Sequence, residues 1–92
     1  MRGIAFYDLA DYLRHGREIE FAFNGRQYSI TNHSGFWYLC DDTDHHILLD
    51  TLGGFEEKEL LVSRVADSSL DGMTIREIFD RQLYHADEVF II

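Results

Sequence analysis

Apolar and polar residues alternate after position 16, and this period of two predicts antiparallel β-strands. A first strand is predicted over residues 17–23 and a second over residues 26–32. Between them lies Asn24-Gly25, a pair that tolerates positive φ at both positions and is typical of a type I′ hairpin turn. The alternation places five apolar residues on the core face of this hairpin: Ile19, Phe21, Phe23, Tyr28 and Ile30.

A third strand is predicted over residues 36–41, after a glycine-containing turn at 33–35. A strand that is apolar on both faces lies under a helix layer or presents one apolar face to a partner. A fourth strand is predicted at His46–Leu49, and Gly53-Gly54 is expected to interrupt the chain after it. The third strand is apolar on both faces, with Phe36, Tyr38 and Cys40 on one and Trp37 and Leu39 on the other.

Helical spacing of apolar residues occurs in two further segments. Residues 6–15 give the clearer prediction, because Asp8 and Asp11 lie near the positive end of the helix and Gly16 follows as a C-terminal cap. Residues 55–66 are a weaker candidate, in which Leu61 and Val65 are one turn apart.

A third helix is predicted from its start signal rather than from its period. Thr74 and Glu77 have the spacing of a capping box, and Met73 and Ile78 are placed as a hydrophobic staple around them. This helix is predicted to run to about Leu83.

These elements predict one α+β domain over residues 1–92. An N-terminal helix is followed by a three- or four-stranded antiparallel meander, one or two helices and a C-terminal strand. That last strand, at Glu88–Ile92, is β-prone and is expected to join the sheet, since its apolar residues would otherwise be exposed. The helices are expected on one face of the sheet.

The sequence GREIEFAFNGRQYSI, followed later by DGMTIREIF, resembles a group of small, functionally uncharacterised bacterial α+β domains. These domains share a G-x-E-I-E-F strand, an N-G turn before Y-S-I, and a D-G-x-T helix start. The resemblance covers about half of the chain, excludes residues 41–70, and implies a fold without implying any catalytic residue. The matching positions are Gly16, Glu18, Ile19, Glu20, Phe21, Asn24, Gly25, Tyr28, Ser29, Ile30, Asp71, Gly72 and Thr74.

Charge is the outlying property of the composition, since 17 acidic residues against 8 basic ones give a net charge of −9. Such a charge disfavours direct binding to nucleic acid or to anionic lipid, and it favours a basic protein or cations as partners. No apolar run approaches the roughly 20 residues that span a bilayer, so no membrane is expected. A single cysteine, Cys40, and no signal-peptide core favour a cytoplasmic setting.

The densest set of candidate ligands lies in the Asp41–His46 segment. Asp42, Asp44 and His46 are weak metal candidates, and an alternative function is a metal-dependent hydrolase that uses this segment. The spacing matches no EF-hand loop, and a solvated turn between two strands explains the same residues. No phosphate-binding loop or paired C-x-x-C motif is present, so we expect no cofactor and no enzymatic activity.

The sequence therefore favours a small, non-enzymatic domain that acts by binding another protein. Exposed aromatic residues would supply affinity and carboxylates would steer the partner. One alternative is an acidic nucleic-acid mimic that inhibits a DNA- or RNA-binding protein, as phage counter-defence proteins do, and another is a homodimer joined through the C-terminal strand. The candidate partner-binding residues are Asp8, Asp11, Glu18, Glu20, Trp37, Glu56, Glu57 and Glu59.

Overall fold

A five-stranded antiparallel sheet forms the centre of the fold in the computed structural model, which describes residues 3–92. The strands are β1 (Ile19–Phe23), β2 (Arg26–His33), β3 (Phe36–Asp41), β4 (Ile47–Gly54), β5 (Ser69–Leu70), β6 (Met73–Thr74) and β7 (Val89–Ile91). The helices are α1 (Phe6–Arg14), α2 (Lys58–Asp67) and α3 (Ile75–Asp80), and a 3₁₀ turn spans Ala86–Glu88. The predicted α+β class is confirmed.

The strand order in the main sheet is β4-β3-β2-β1-β7, with β5 and β6 forming a separate two-stranded hairpin. The meander has four strands, and the C-terminal strand pairs with β1, as the sequence predicts. Strands β4 and β7 are consequently the two edges of the sheet. The three helices pack on one face, where apolar side chains of β1, β2 and β3 meet those of α1, α2 and α3 in one core.

The hairpin turn between β1 and β2 has the predicted type I′ backbone, with φ of 52° at Asn24 and 80° at Gly25. The resulting register pairs Phe23 with Arg26 and Ile19 with Ile30. That register puts Ile19 and Ile30 together in the core, where neither is exposed.

The single tryptophan is a core residue, and the prediction that Trp37 is an exposed partner-binding residue is wrong. Its exposed fraction is 0%. The indole stacks on the Phe55 ring at a centroid distance of 5.7 Å and donates from Nε1 to the Phe55 carbonyl oxygen at 3.3 Å. The Lys58 ammonium lies 3.5 Å from the Phe55 ring centroid and closes the stack.

Strand β4 is longer than predicted, because Gly53-Gly54 continues the pairing with β3 instead of ending it. Gly53 has a φ of 119°, a conformation that costs glycine little, so the strand bends without stopping. The backbone N–H of Phe55 then donates to Gly35 at 2.8 Å. This bond holds Phe55 against the sheet, and α2 therefore begins at Lys58 rather than at Phe55.

Helix α3 begins as predicted and ends early. The Thr74 side chain accepts a hydrogen bond from the Glu77 backbone N–H at 3.2 Å, which is the predicted N-cap. The helix stops at Asp80, before Leu83, because Gln82 adopts a φ of 53° that no α-helix contains.

Candidate protein-binding surface

The face of the sheet opposite the helices is the first part of the candidate surface, and we call it the open face. Cross-strand pairs align one row of side chains over the whole sheet, from Phe90 on β7 to Leu48 on β4. Both ends of this row are exposed, at 54% for Phe90 and 56% for Leu48. The row consists of Phe90, Glu20, Ser29, Cys40 and Leu48.

The middle of this row is closed although no helix lies over it. Ser29 and Cys40 are 1% and 2% exposed, because they are small and lie between longer side chains of the same face. Burial, and secondarily the nearby Asp42 carboxylate, raises the pKa of the Cys40 thiol, so this group is not an activated nucleophile. The open face therefore offers contacts at its rim rather than a reactive group at its centre.

A small acidic hollow indents the open face beside Phe90. Its volume is about 200 Å³, which is below the usual range for small-molecule pockets. Glu18 directly precedes β1, and its Oε2 accepts a hydrogen bond from the Asn32 backbone N–H at 2.8 Å. Glu18 and Glu20 are thus on the open face, where an arriving partner can meet them. The polar residues that line the hollow are Glu20, Gln27, Tyr28, Asp42 and Glu88.

The free edge of the sheet at β4 is the second part of the candidate surface. Ile47, Leu48 and Leu49 are three consecutive apolar residues with exposed fractions of 48%, 56% and 45%. Three such residues in a row are unusual for a strand, since alternation would bury every second one. All three lie on an edge strand, since β4 has no neighbouring strand on its outer side within residues 3–92.

The other predicted partner-binding acids belong to the helical layer or to its connections. Asp8 caps α1, where its carboxylate accepts from the Ala5 backbone N–H at 3.0 Å. Glu57 accepts from the Gly54 backbone N–H at 3.0 Å. Asp11 is exposed on α1 and Glu56 is exposed before α2. These acids do not lie together with Glu18 and Glu20.

Glu59, also a predicted partner-binding acid, forms an ion pair across two helices. Its Oε2 lies 2.8 Å from Arg14 Nε, and its Oε1 accepts from Arg14 Nη2 at 3.1 Å. The hydrogen bond from Arg14 is the main reason why the pKa of Glu59 is lowered. The pair links α1 to α2, so this carboxylate already has a structural partner.

The Asp41–His46 segment contains one His–carboxylate pair. His46 Nδ1 lies 2.6 Å from Asp42 Oδ1. Asp44 is exposed and does not join this pair. In the part of the chain that the structure describes, no three His, Cys, Asp or Glu residues come together in a way that could hold a metal ion.

Asp41 has a structural role at the start of the same segment. Its carboxylate accepts from the Thr43 hydroxyl at 2.7 Å and from the Thr43 backbone N–H at 3.0 Å, and Arg26 Nε donates to it at 2.8 Å. The Thr43 bonds first, and then Arg26, lower the pKa of Asp41 to about 2. Asp41 thus stabilises the turn after β3.

Three surface residues that sequence reasoning missed are Leu48, Leu49 and Asp50. The run Ile47-Leu48-Leu49 is typical of a buried strand, and only the strand order shows that it lies at an edge. Edge position depends on contacts between distant segments, so no local signal could have identified it.

In comparisons with known proteins, no family model, no curated protein and no solved structure matches this chain. Among residues 3–92 no helix has both the length and the apolar character needed to span a membrane.

Proposed function

We propose that this protein is a small binding domain whose partner is a basic protein, held at the open face and along β4. One observation carries this proposal: of the nine large apolar residues exposed within residues 3–92, six lie on strands of the main sheet or directly after one. Large apolar side chains exposed beside acidic residues are characteristic of protein-binding sites. The six are Phe36, Ile47, Leu48, Leu49, Phe90 and Ile92.

The distribution of charge supports a basic partner. The guanidinium groups of Arg14 and Arg26 are each paired with a carboxylate, and Lys58 donates to a backbone carbonyl at 2.6 Å. Three of the eight basic residues are therefore engaged inside the domain, whose net charge is −9. Complementary charge accelerates association and suppresses acidic competitors, and salt weakens this effect.

A nucleic-acid mimic would be a narrower form of the same function, and it requires carboxylates arrayed on one face. Glu20 and Glu88 line the hollow of the open face. Asp11 and Glu59 lie on helices of the opposite layer. Because the acids are divided between two faces, we favour recognition of a basic protein without imitation of a phosphate backbone.

Affinity capture with matched surface variants tests the proposed function. Wild-type protein, Leu48→Ser and Phe90→Ser serve as baits in a nuclease-treated lysate of the source cells, and bound proteins are eluted with a salt gradient and identified by mass spectrometry. Tyr7→Ser is the control, since Tyr7 is 79% exposed on α1, away from the open face. None of these changes removes a core contact, so all four baits are expected to fold.

The supporting result is a basic protein that wild type and Tyr7→Ser retain and that Leu48→Ser or Phe90→Ser loses, confirmed with the purified pair. Leu48→Ser and Phe90→Ser are each expected to weaken binding about tenfold, as for truncation of an interface anchor. Capture of no basic protein, or equal capture by all four baits, would contradict the proposed function.

A further inference from the structure

Strand β4 leaves one side of the sheet open to strand addition. It has eight residues, whereas the opposite edge strand β7 has three. Natural edge strands are usually protected by charged side chains, proline, β-bulges or a covering element. The segment from Ile47 to Leu52 contains neither lysine nor proline. The Thr51 carbonyl accepts from Arg64 at 3.5 Å, so the residues before Thr51 form the part of the edge whose backbone N–H and C=O groups an extended chain could pair with.

Two register shifts interrupt the pairing of β4 with β3, one beside Leu52 and one beside Leu49. The register shifts between Leu39 and Cys40, so that Leu49 is an extra residue opposite neither of them. In such a bulge two successive side chains turn towards the same face. Leu49 and Asp50 consequently line one hollow together with Leu39, on the helical side of the sheet.

A trough runs beside the edge, between β4 and the end of α2. It consists of two adjoining hollows of about 330 and 440 Å³, which share Asp50 and Ser68. The larger hollow adds Asp67 from the end of α2 and Arg64, whose guanidinium donates weakly to the Thr51 carbonyl at 3.5 Å. Two carboxylates face one cation here, so the trough favours a positively charged side chain.

Charge decides between the possible occupants of the edge. A second copy of this chain would bring another net charge of −9 to this edge, which already carries Asp50. An extended basic segment would instead pair its backbone with β4 and place alternate side chains in the trough. In this mode of recognition main-chain hydrogen bonds supply affinity and side-chain pockets supply specificity.

We infer that β4 binds an extended, basic segment of the partner protein as a sixth strand of the sheet. Apolar side chains of that segment pack on Leu48 and Leu49, and a lysine or arginine lies between Asp50 and Asp67. This inference rests on the proposed function and specifies how the partner is held.

Selection from a display library of random peptides of roughly ten residues, the upper length of ordinary strands, tests the inference. Enriched peptides are expected to alternate lysine or arginine with β-branched residues. Hydrogen exchange is then measured on the full chain with and without the most enriched peptide. Slower exchange is expected at the amides of Ile47–Asp50.

Charge variants give the matched control for this peptide. Asp50→Asn and Asp67→Asn are each expected to weaken its binding about tenfold, as for loss of a charge-assisted contact, whereas Asp87→Asn on the 3₁₀ turn leaves binding unchanged. The substituted side chains are exposed, so the fold is retained.

Two outcomes would overturn the inference while the proposed function stands: a basic peptide that protects the open face instead of β4, or binding that ignores Asp50 and Asp67. Enrichment of acidic peptides, or of none, would count against the inference and the basic partner together. A dimer in light scattering that Leu48→Lys dissociates would identify a second copy as the occupant.

Discussion

At the scale of single residues, Asp41 is a carboxylate whose contribution to folding stability should change with pH. Its pKa is lowered to about 2 because Thr43 and Arg26 stabilise the ionised form, against 3.8 for the ordinary group. A lowered folded-state pKa adds stability above the unfolded pKa, and this is lost as the pH falls through the folded value. We expect Asp41→Asn to lower the free energy of unfolding at neutral pH by about 1–3 kcal/mol.

Urea denaturation of wild type and Asp41→Asn over a range of pH checks this prediction. The gap between the two proteins should be largest at neutral pH and should close between pH 3.8 and about 2. Asp87→Asn, an exposed carboxylate elsewhere, is the control and should track wild type. A gap that stays constant down to the acid end would show that the charge of Asp41 is not responsible.

Cys40 gives a second prediction at this scale. Burial raises the pKa of this thiol, so little thiolate forms at neutral pH. Because Cys40 is only 2% exposed, a reagent also cannot reach its sulfur. Alkylation by iodoacetamide in the native state should be slower by orders of magnitude than in urea, where the same cysteine is free. Rapid native alkylation would contradict the closed centre of the open face.

At the scale of elements, Thr74 controls the start of the short helix α3. Its side chain accepts the bond from the Glu77 backbone N–H, and α3 has only six residues in which to compensate for the loss. Thr74→Ala should therefore lower the free energy of unfolding by about 1 kcal/mol, while Thr74→Ser, which keeps the hydroxyl, should stay close to wild type. Chemical denaturation of the three proteins measures this, and equal losses for both variants would argue against a capping role.

The elements also show what the sequence could predict and what it could not. The turn at Asn24-Gly25 and the cap at Thr74 depend on residues that are neighbours in the chain, so local rules identified both. The burial of Trp37 and the exposure of Leu48 depend on which segments meet after folding. Most of the candidate surface could therefore not be predicted from the sequence, since strand order defines it.

At the scale of the whole molecule, the domain combines an acidic net charge of −9 with exposed apolar residues that lie mainly on one sheet. The carboxylates would bring a basic partner to the domain, and the apolar contacts would hold it. Salt should therefore slow association without abolishing the bound state, because screening acts on the charges and leaves apolar contacts intact.

The most direct test of the central claim is calorimetric titration of the captured basic protein into wild type, Leu48→Ser and Phe90→Ser at low and high salt. We predict saturable binding to wild type that weakens about tenfold at high salt, and a further loss of about tenfold in Leu48→Ser at both salt concentrations. Binding that neither Leu48→Ser nor Phe90→Ser weakens, or that vanishes completely at high salt in wild type, would contradict an apolar surface on the sheet as the site of recognition.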